Sequence, residues 1–119
     1  MRSRATLAAI ALAAALGVTA PLAHADKVTV TIGIDAAGQG RYTGQVEAKR
    51  DRCRKGRTVQ VYDQTGGGFF IGETRTNAKG HFDLFEYVPQ SGQQVTVVVP
   101  EKQTGRGRCA GVSTIAAVP

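Results

Sequence analysis

The sequence predicts an all-β fold: an antiparallel seven-stranded β-sandwich with one disulfide, preceded by a cleaved helical signal peptide. Three observations predict it. Apolar and polar residues alternate in short runs, the period of a strand with one buried and one wet face. Gly, Pro, Asn and Asp separate those runs at the spacing of sandwiches and barrels. No stretch of residues 26–119 carries the 3.6-residue period of an amphipathic helix.

The elements follow in order. Arg2 and Arg4, the Ala/Leu-rich core Leu7 to Val18, and Ala23-His24-Ala25 have the three-part layout of a secretory signal, with cleavage expected between Ala25 and Asp26. The apolar stretch is short for a membrane span, and Pro21 interrupts it. No cysteine for a lipid anchor follows the apolar core, so a secreted chain with no stable membrane anchor is expected. Residues 26–119 then make a single domain of 94 residues. Val28, Val30 and Ile32 alternate with threonines and a glycine in the first strand. Tyr42, Val46 and Ala48 mark the second, and Val59 and Val61 the third. Gly66-Gly67-Gly68 breaks the pattern before Phe69-Phe70-Ile71. Asn77 to Gly80 is a turn into the strand His81 to Tyr87. Gln94 to Val99 and Cys109 to Ile115 complete the count. Each strand is too short to bury its stripe alone, so two sheets should close on a core. That core is expected to hold Val28, Val30, Ile32, Tyr42, Val46, Val59, Val61, Ile71, Phe82, Leu84, Val95 and Val97.

The chain has two cysteines, Cys53 and Cys109, 56 positions apart. That separation excludes a metal knuckle or a C-x-x-C redox motif, and an exported chain with an even count predicts a disulfide.

The motif series Tyr42-x-Gly44-x-Val46-x-Ala48, Cys53, Arg57-x-Val59-x-Val61, Ile71-Gly72-x-Thr74-x-Thr76-Asn77-x-x-Gly80-x-Phe82, Gln94-x-Thr96-x-Val98 and Cys109-x-x-x-Ser113 spans most of residues 41–115. It resembles small secreted bacterial β-sandwich domains of the carboxypeptidase regulatory-like and transthyretin-like (prealbumin-like) group. The resemblance implies a prealbumin/Ig-like domain used for stability, adhesion or binding, with no catalytic residues to carry over. Asn77 stands where that group has Asp, and both favour the turn.

Chemistry is sparse. Enzymes on related folds need several histidines, and His81 is the one left after cleavage; it lies out of phase with Phe82 and Leu84 and is expected at the surface. One histidine, two oxidised cysteines and scattered carboxylates make no tetrahedral metal set, so no metal and no cofactor is expected. The glycine run lacks the Lys-Ser/Thr of a phosphate loop. A non-enzyme is expected.

Binding is the remaining class. Loss of Arg2 and Arg4 takes 15 Lys and Arg to 13 against 9 Asp and Glu, a net charge of +4. Lys49, Arg50, Arg52, Arg54, Lys55 and Arg57 crowd nine positions around Cys53, and Arg106 and Arg108 precede Cys109. A disulfide would draw both clusters to one end, where they would suit an anionic polysaccharide or cell-envelope polymer. No aromatic lies between Lys49 and Arg57 to stack bases, which argues against nucleic acid. Phe69 and Phe70 point to opposite faces of a strand, so at least one is hard to bury and offers contact with a protein partner or a second copy. An inhibitory loop offered to a protease is the weaker alternative.

Overall fold

A computed structural model describes residues 25–37, 40–65 and 67–119. The signal peptide expected at 1–25 falls outside these residues, except for Ala25. Among the described residues no helix is long and apolar enough to cross a membrane.

The described chain is all-β with one disulfide. Ten strands form three sheets: β1 (Ala25–Asp26), β2 (Val28–Asp35), β3 (Arg41–Ala48), β4 (Thr58–Asp63), β5 (Phe69–Arg75), β6 (His81–Leu84), β7 (Gln94–Val99), β8 (Lys102–Thr104), β9 (Gly107–Cys109) and β10 (Val112–Ala117). A 3-10 turn, Asp51–Cys53, leads into β4. One sheet has the order β2-β3-β6, another β10-β7-β4-β5, and the third β1-β9-β8. A strand of the two larger sheets overlaps each run read from alternation, but the last run, Cys109 to Ile115, is broken at Ala110 and Gly111, so that Cys109 ends β9 and the rest falls in β10. The third sheet was not expected, because strands of two or three residues are too short to alternate visibly. Its β1–β9 pair is parallel, whereas every other pair is antiparallel. The run expected to reach Tyr87 stops at Leu84.

The core draws on both larger sheets. Val28, Tyr42, Val46, Val59, Val61, Phe82, Leu84, Val95 and Val97 are buried as expected, while Val30, Ile32 and Ile71 pack against them partly exposed. Val99 and Val118 join them. Gly44 fits because it has no side chain: a Cβ there would sit 2.5 Å from Phe82 Cζ. Gly80 closes the β5–β6 turn at φ +89°, and its carbonyl accepts from Val46 N at 2.8 Å. Asn77 organises the same turn, its Oδ1 accepting from Lys79 N and His81 N at 2.9 and 3.0 Å.

Strand directions give the molecule two distinct ends. The starts of β2, β4, β6 and β10 and the ends of β3, β5 and β7 gather at the disulfide end. The outward side of the four-stranded sheet carries Thr58, Gln60 and Tyr62 on β4. It carries Gln94, Thr96 and Val98 on β7, and Ser113, Ile115 and Ala117 on β10.

Candidate functional site

Cys53 and Cys109 are joined, with Cα atoms 5.4 Å apart, and both are fully buried. Closing a loop of that length stabilises the fold by about 4 kcal/mol through the entropy of the unfolded chain. The bond holds the 49–57 segment against β8 and β9.

Arg57 corrects the sequence reading. The anion-binding set expected from the sequence includes it, yet it is only 1% exposed, among the largest fully buried side chains. Its Nη1 donates to Cys53 O at 2.9 Å, and its Nη2 donates to Pro100 O at 2.8 Å and Ala110 O at 3.0 Å. The guanidinium thus ties together the 3-10 turn and the backbone on either side of β8–β9. Burial pushes its pKa down. Carbonyl dipoles compensate the charge, so Arg57 braces the end and does not face a ligand. The signal was in the sequence: Arg57 shares parity with Val59 and Val61, so it points inward with them.

Thr76 completes the brace. Its hydroxyl accepts from Arg57 N at 2.7 Å and donates to Arg54 O at 2.6 Å. Lys102 Nζ, on β8, donates to the carbonyls of Arg52 and Lys55 at 3.3 and 3.2 Å. Burial, then the charges of Arg57, Lys55 and Arg75, hold its ammonium below the usual lysine range. From sequence Thr76 is only a position in the motif series and Lys102 one lysine among many, and neither carries a pattern that marks it as part of the brace.

The remaining candidates divide by how their charge is matched. Asp26 Oδ2 is shared by Arg50 Nε at 3.1 Å and Arg52 Nη2 at 3.2 Å. Arg54 pairs with Asp51 and donates to Ala48 O at 2.7 Å. Arg108 meets Glu101 at 3.4 Å. Lys49, Lys55 and Arg106 are exposed, with no ion pair to any described residue. Arg52 Nη2 also reaches Arg106 O at 3.5 Å, so the two basic clusters touch. Around the disulfide, Lys49, Arg50, Arg52, Arg54, Lys55, Lys102, Arg106 and Arg108 outnumber Asp26, Asp51 and Glu101.

The opposite end has the reverse sign. There Asp35, Asp63, Asp83 and Glu86 stand with Arg41 as the one cation among the described residues. Arg41 grips Asp83 through two hydrogen bonds of 2.8 and 2.7 Å, holding that carboxyl below its ordinary range. Phe69 and Phe70 begin β5 at this end, 66% and 56% exposed, and Phe85 and Tyr87 are exposed just beyond β6. His81 is exposed at the start of β6, as expected.

A depression of about 610 Å³ opens beside the basic end between Arg54, Lys55 and Lys79. Glu47 and Asp51 also line it, so its charges nearly cancel and it is no anion pocket. No group of three or more His, Cys, Asp or Glu side chains among the described residues is placed to hold a metal ion. Comparisons with protein-family models, with curated proteins and with solved structures found no match for this chain.

Proposed function

We propose that the chain is a secreted, non-catalytic binding module, a seven-stranded sandwich whose disulfide-bonded end docks an anionic extracellular or cell-envelope polymer. The observation that carries this reading is the charge polarity. One end, counting Lys79 and Glu47 beside it, gathers nine exposed or half-exposed cations against four carboxylates, while the other end is acidic. An anionic chain meets an attractive field at one end and a repulsive one at the other, so the domain is steered to dock end-on. The contact residues are Lys49, Lys55 and Arg106, which form no ion pair with any described residue, with Arg50, Arg52, Arg54 and Arg108 adding field from within their ion pairs. Many weak contacts of this kind are screened by salt, so binding should fall steeply as ionic strength rises.

Elution from a heparin resin on a salt gradient tests the reading. The oxidised protein should elute well after a neutral domain of its size, and Lys49→Ser/Lys55→Ser/Arg106→Ser should elute early while melting unchanged. Elution of the unaltered protein with the neutral standard would defeat it.

A second reading draws on a separate observation, the exposure of both Phe69 and Phe70. It is a structural or adhesive role in which the β5 edge meets a protein partner or a second copy. Sedimentation over a concentration series separates the two: association insensitive to salt but lost in Phe70→Ser favours the second.

A further inference from the structure

One feature outside the basic end has no role in that reading. Three of the four strands in the larger sheet turn nine side chains outward without a single charge among them, although charged residues are dense elsewhere. Across this face runs one continuous register row. Ile115 on β10 pairs with Thr96 on β7, Thr96 with Tyr62 on β4, and Tyr62 with Phe70 on β5. Four strands at their usual spacing make the row roughly 14 Å wide. Its two ends, Ile115 and Phe70, are each 56% exposed. Tyr62 and Phe70 meet edge to face, with centroids 5.5 Å apart and planes at 65°. The row beside it fixes the polar groups: Tyr62 Oη donates to Gln60 Oε1 at 3.3 Å, and Gln60 Nε2 to Glu73 Oε1 at 3.2 Å.

We propose that this face binds an uncharged polysaccharide, its sugar rings stacked on Tyr62 and Phe70 and its hydroxyls bonded to Gln60, Gln94 and Thr96. A pyranose has an apolar C–H face and a rim of hydroxyls that both donate and accept. Aromatic rings suit the first. Side-chain amides and hydroxyls suit the second, since each also offers donor and acceptor together. On β4, β7 and β10 no ion has to be stripped of water to form the contact, which is where a charged face would lose binding energy; Glu73 and Arg75, the charged residues of this face, stand at its β5 edge. A polyanion finds no cation on β4, β7 or β10. The row's breadth fits a short run of linked rings lying across the strands.

Depletion of the purified protein by insoluble cellulose, chitin and a β-1,3-glucan, each at low and at molar salt, tests this. The expected result is retention on at least one of them, equal at both salts. Phe70→Ala should weaken it about tenfold, the scale of one stacking contact. Ile115→Lys, at an exposed site on an edge strand, should weaken it too, so a folding defect at Phe70 does not leave the test undecided. Lys55→Ser/Arg106→Ser should bind these glycans unchanged, which separates this face from the basic end. The proposal is overturned by no retention on any of the three, by retention that salt abolishes, or by retention indifferent to both Phe70→Ala and Ile115→Lys. Concentration-dependent self-association lost in Ile115→Lys would assign the face to a second copy instead.

Discussion

Arg57 Nη1 lies 2.9 Å from the carbonyl oxygen of Cys53, so a buried cation hangs on the backbone of the disulfide itself. The covalent link and the guanidinium therefore hold the same turn, one through the sulfur and one through the peptide. A cation buried without a carboxylate is costly unless its donors find partners, and here three carbonyls accept from Nη1 and Nη2.

Arg57→Leu is expected to lower stability by about 3 kcal/mol, because it leaves three carbonyls turned toward a side chain that cannot donate. Arg57→Lys keeps the charge but reaches fewer carbonyls, and should fall between the two. Urea unfolding of the oxidised proteins measures this. A loss within about 0.5 kcal/mol, the scale of an ordinary surface substitution, would show that the brace has no structural weight.

Tyr42 makes the fold sensitive to alkali. Its hydroxyl donates to Tyr87 O at 2.6 Å inside the core, and burial, helped by the charge of Asp63, pushes its pKa up to about 12. The unfolded chain loses this proton near pH 10 and the folded chain near pH 12. Stability is therefore full below pH 10 and falls as pH rises through that window, by about 3 kcal/mol in all. Lys102 titrates with the opposite sign, since its depressed pKa relieves a penalty as pH rises. The difference between the parent and Tyr42→Phe cancels that contribution. The variant should be about 1 kcal/mol less stable at neutral pH, and the gap should close and reverse toward pH 12. A constant gap across the window contradicts the assignment.

Gly44→Ala is expected to destabilise by about 2 kcal/mol, the usual scale of overpacking. Its methyl would press on Phe82 Cζ and on the carbonyl oxygen of Thr31. Combining it with Phe82→Leu, which opens space beside the methyl, should cost less than the two single losses added together. Strict additivity would mean that the ring and the methyl do not collide.

Asp26 neutralises part of the basic end. Asp26→Asn removes the carboxylate shared by Arg50 and Arg52 and should move elution from heparin to higher salt. The cost in stability should stay near or below 1 kcal/mol, as for other partly exposed ion pairs. Earlier elution of the variant would mean that Asp26 is needed to hold the arginines in place for the ligand.

Much of this architecture was legible in the residues. Alternation of period two located the strands of the larger sheets and most of the core, since Val59, Val61, Val95 and Val97 cannot all face water. Cysteine count and spacing gave the disulfide. Two kinds of feature escaped. The third sheet rests on strands of two and three residues, held by neighbours far away in sequence, so no local pattern marks it. Arg57 is masked by its charge, although the inward register of Val59 and Val61 extends to it. The ion pairs of Asp26 with Arg50 and Arg52 needed the fold, because 24 and 26 positions separate the partners. The uncharged outer face needed the strand order, since Ile115, Thr96, Tyr62 and Phe70 become neighbours only across four strands.

Titrating ¹⁵N-labelled oxidised protein with a heparin hexasaccharide, read by amide shifts, tests the proposed docking end most directly. Shifts should concentrate at residues 49–55 and 102–108, strongest near Lys49, Lys55 and Arg106, and should vanish in molar salt. No shifts at saturating oligosaccharide, or shifts gathered near Asp35 and Phe70, would contradict it.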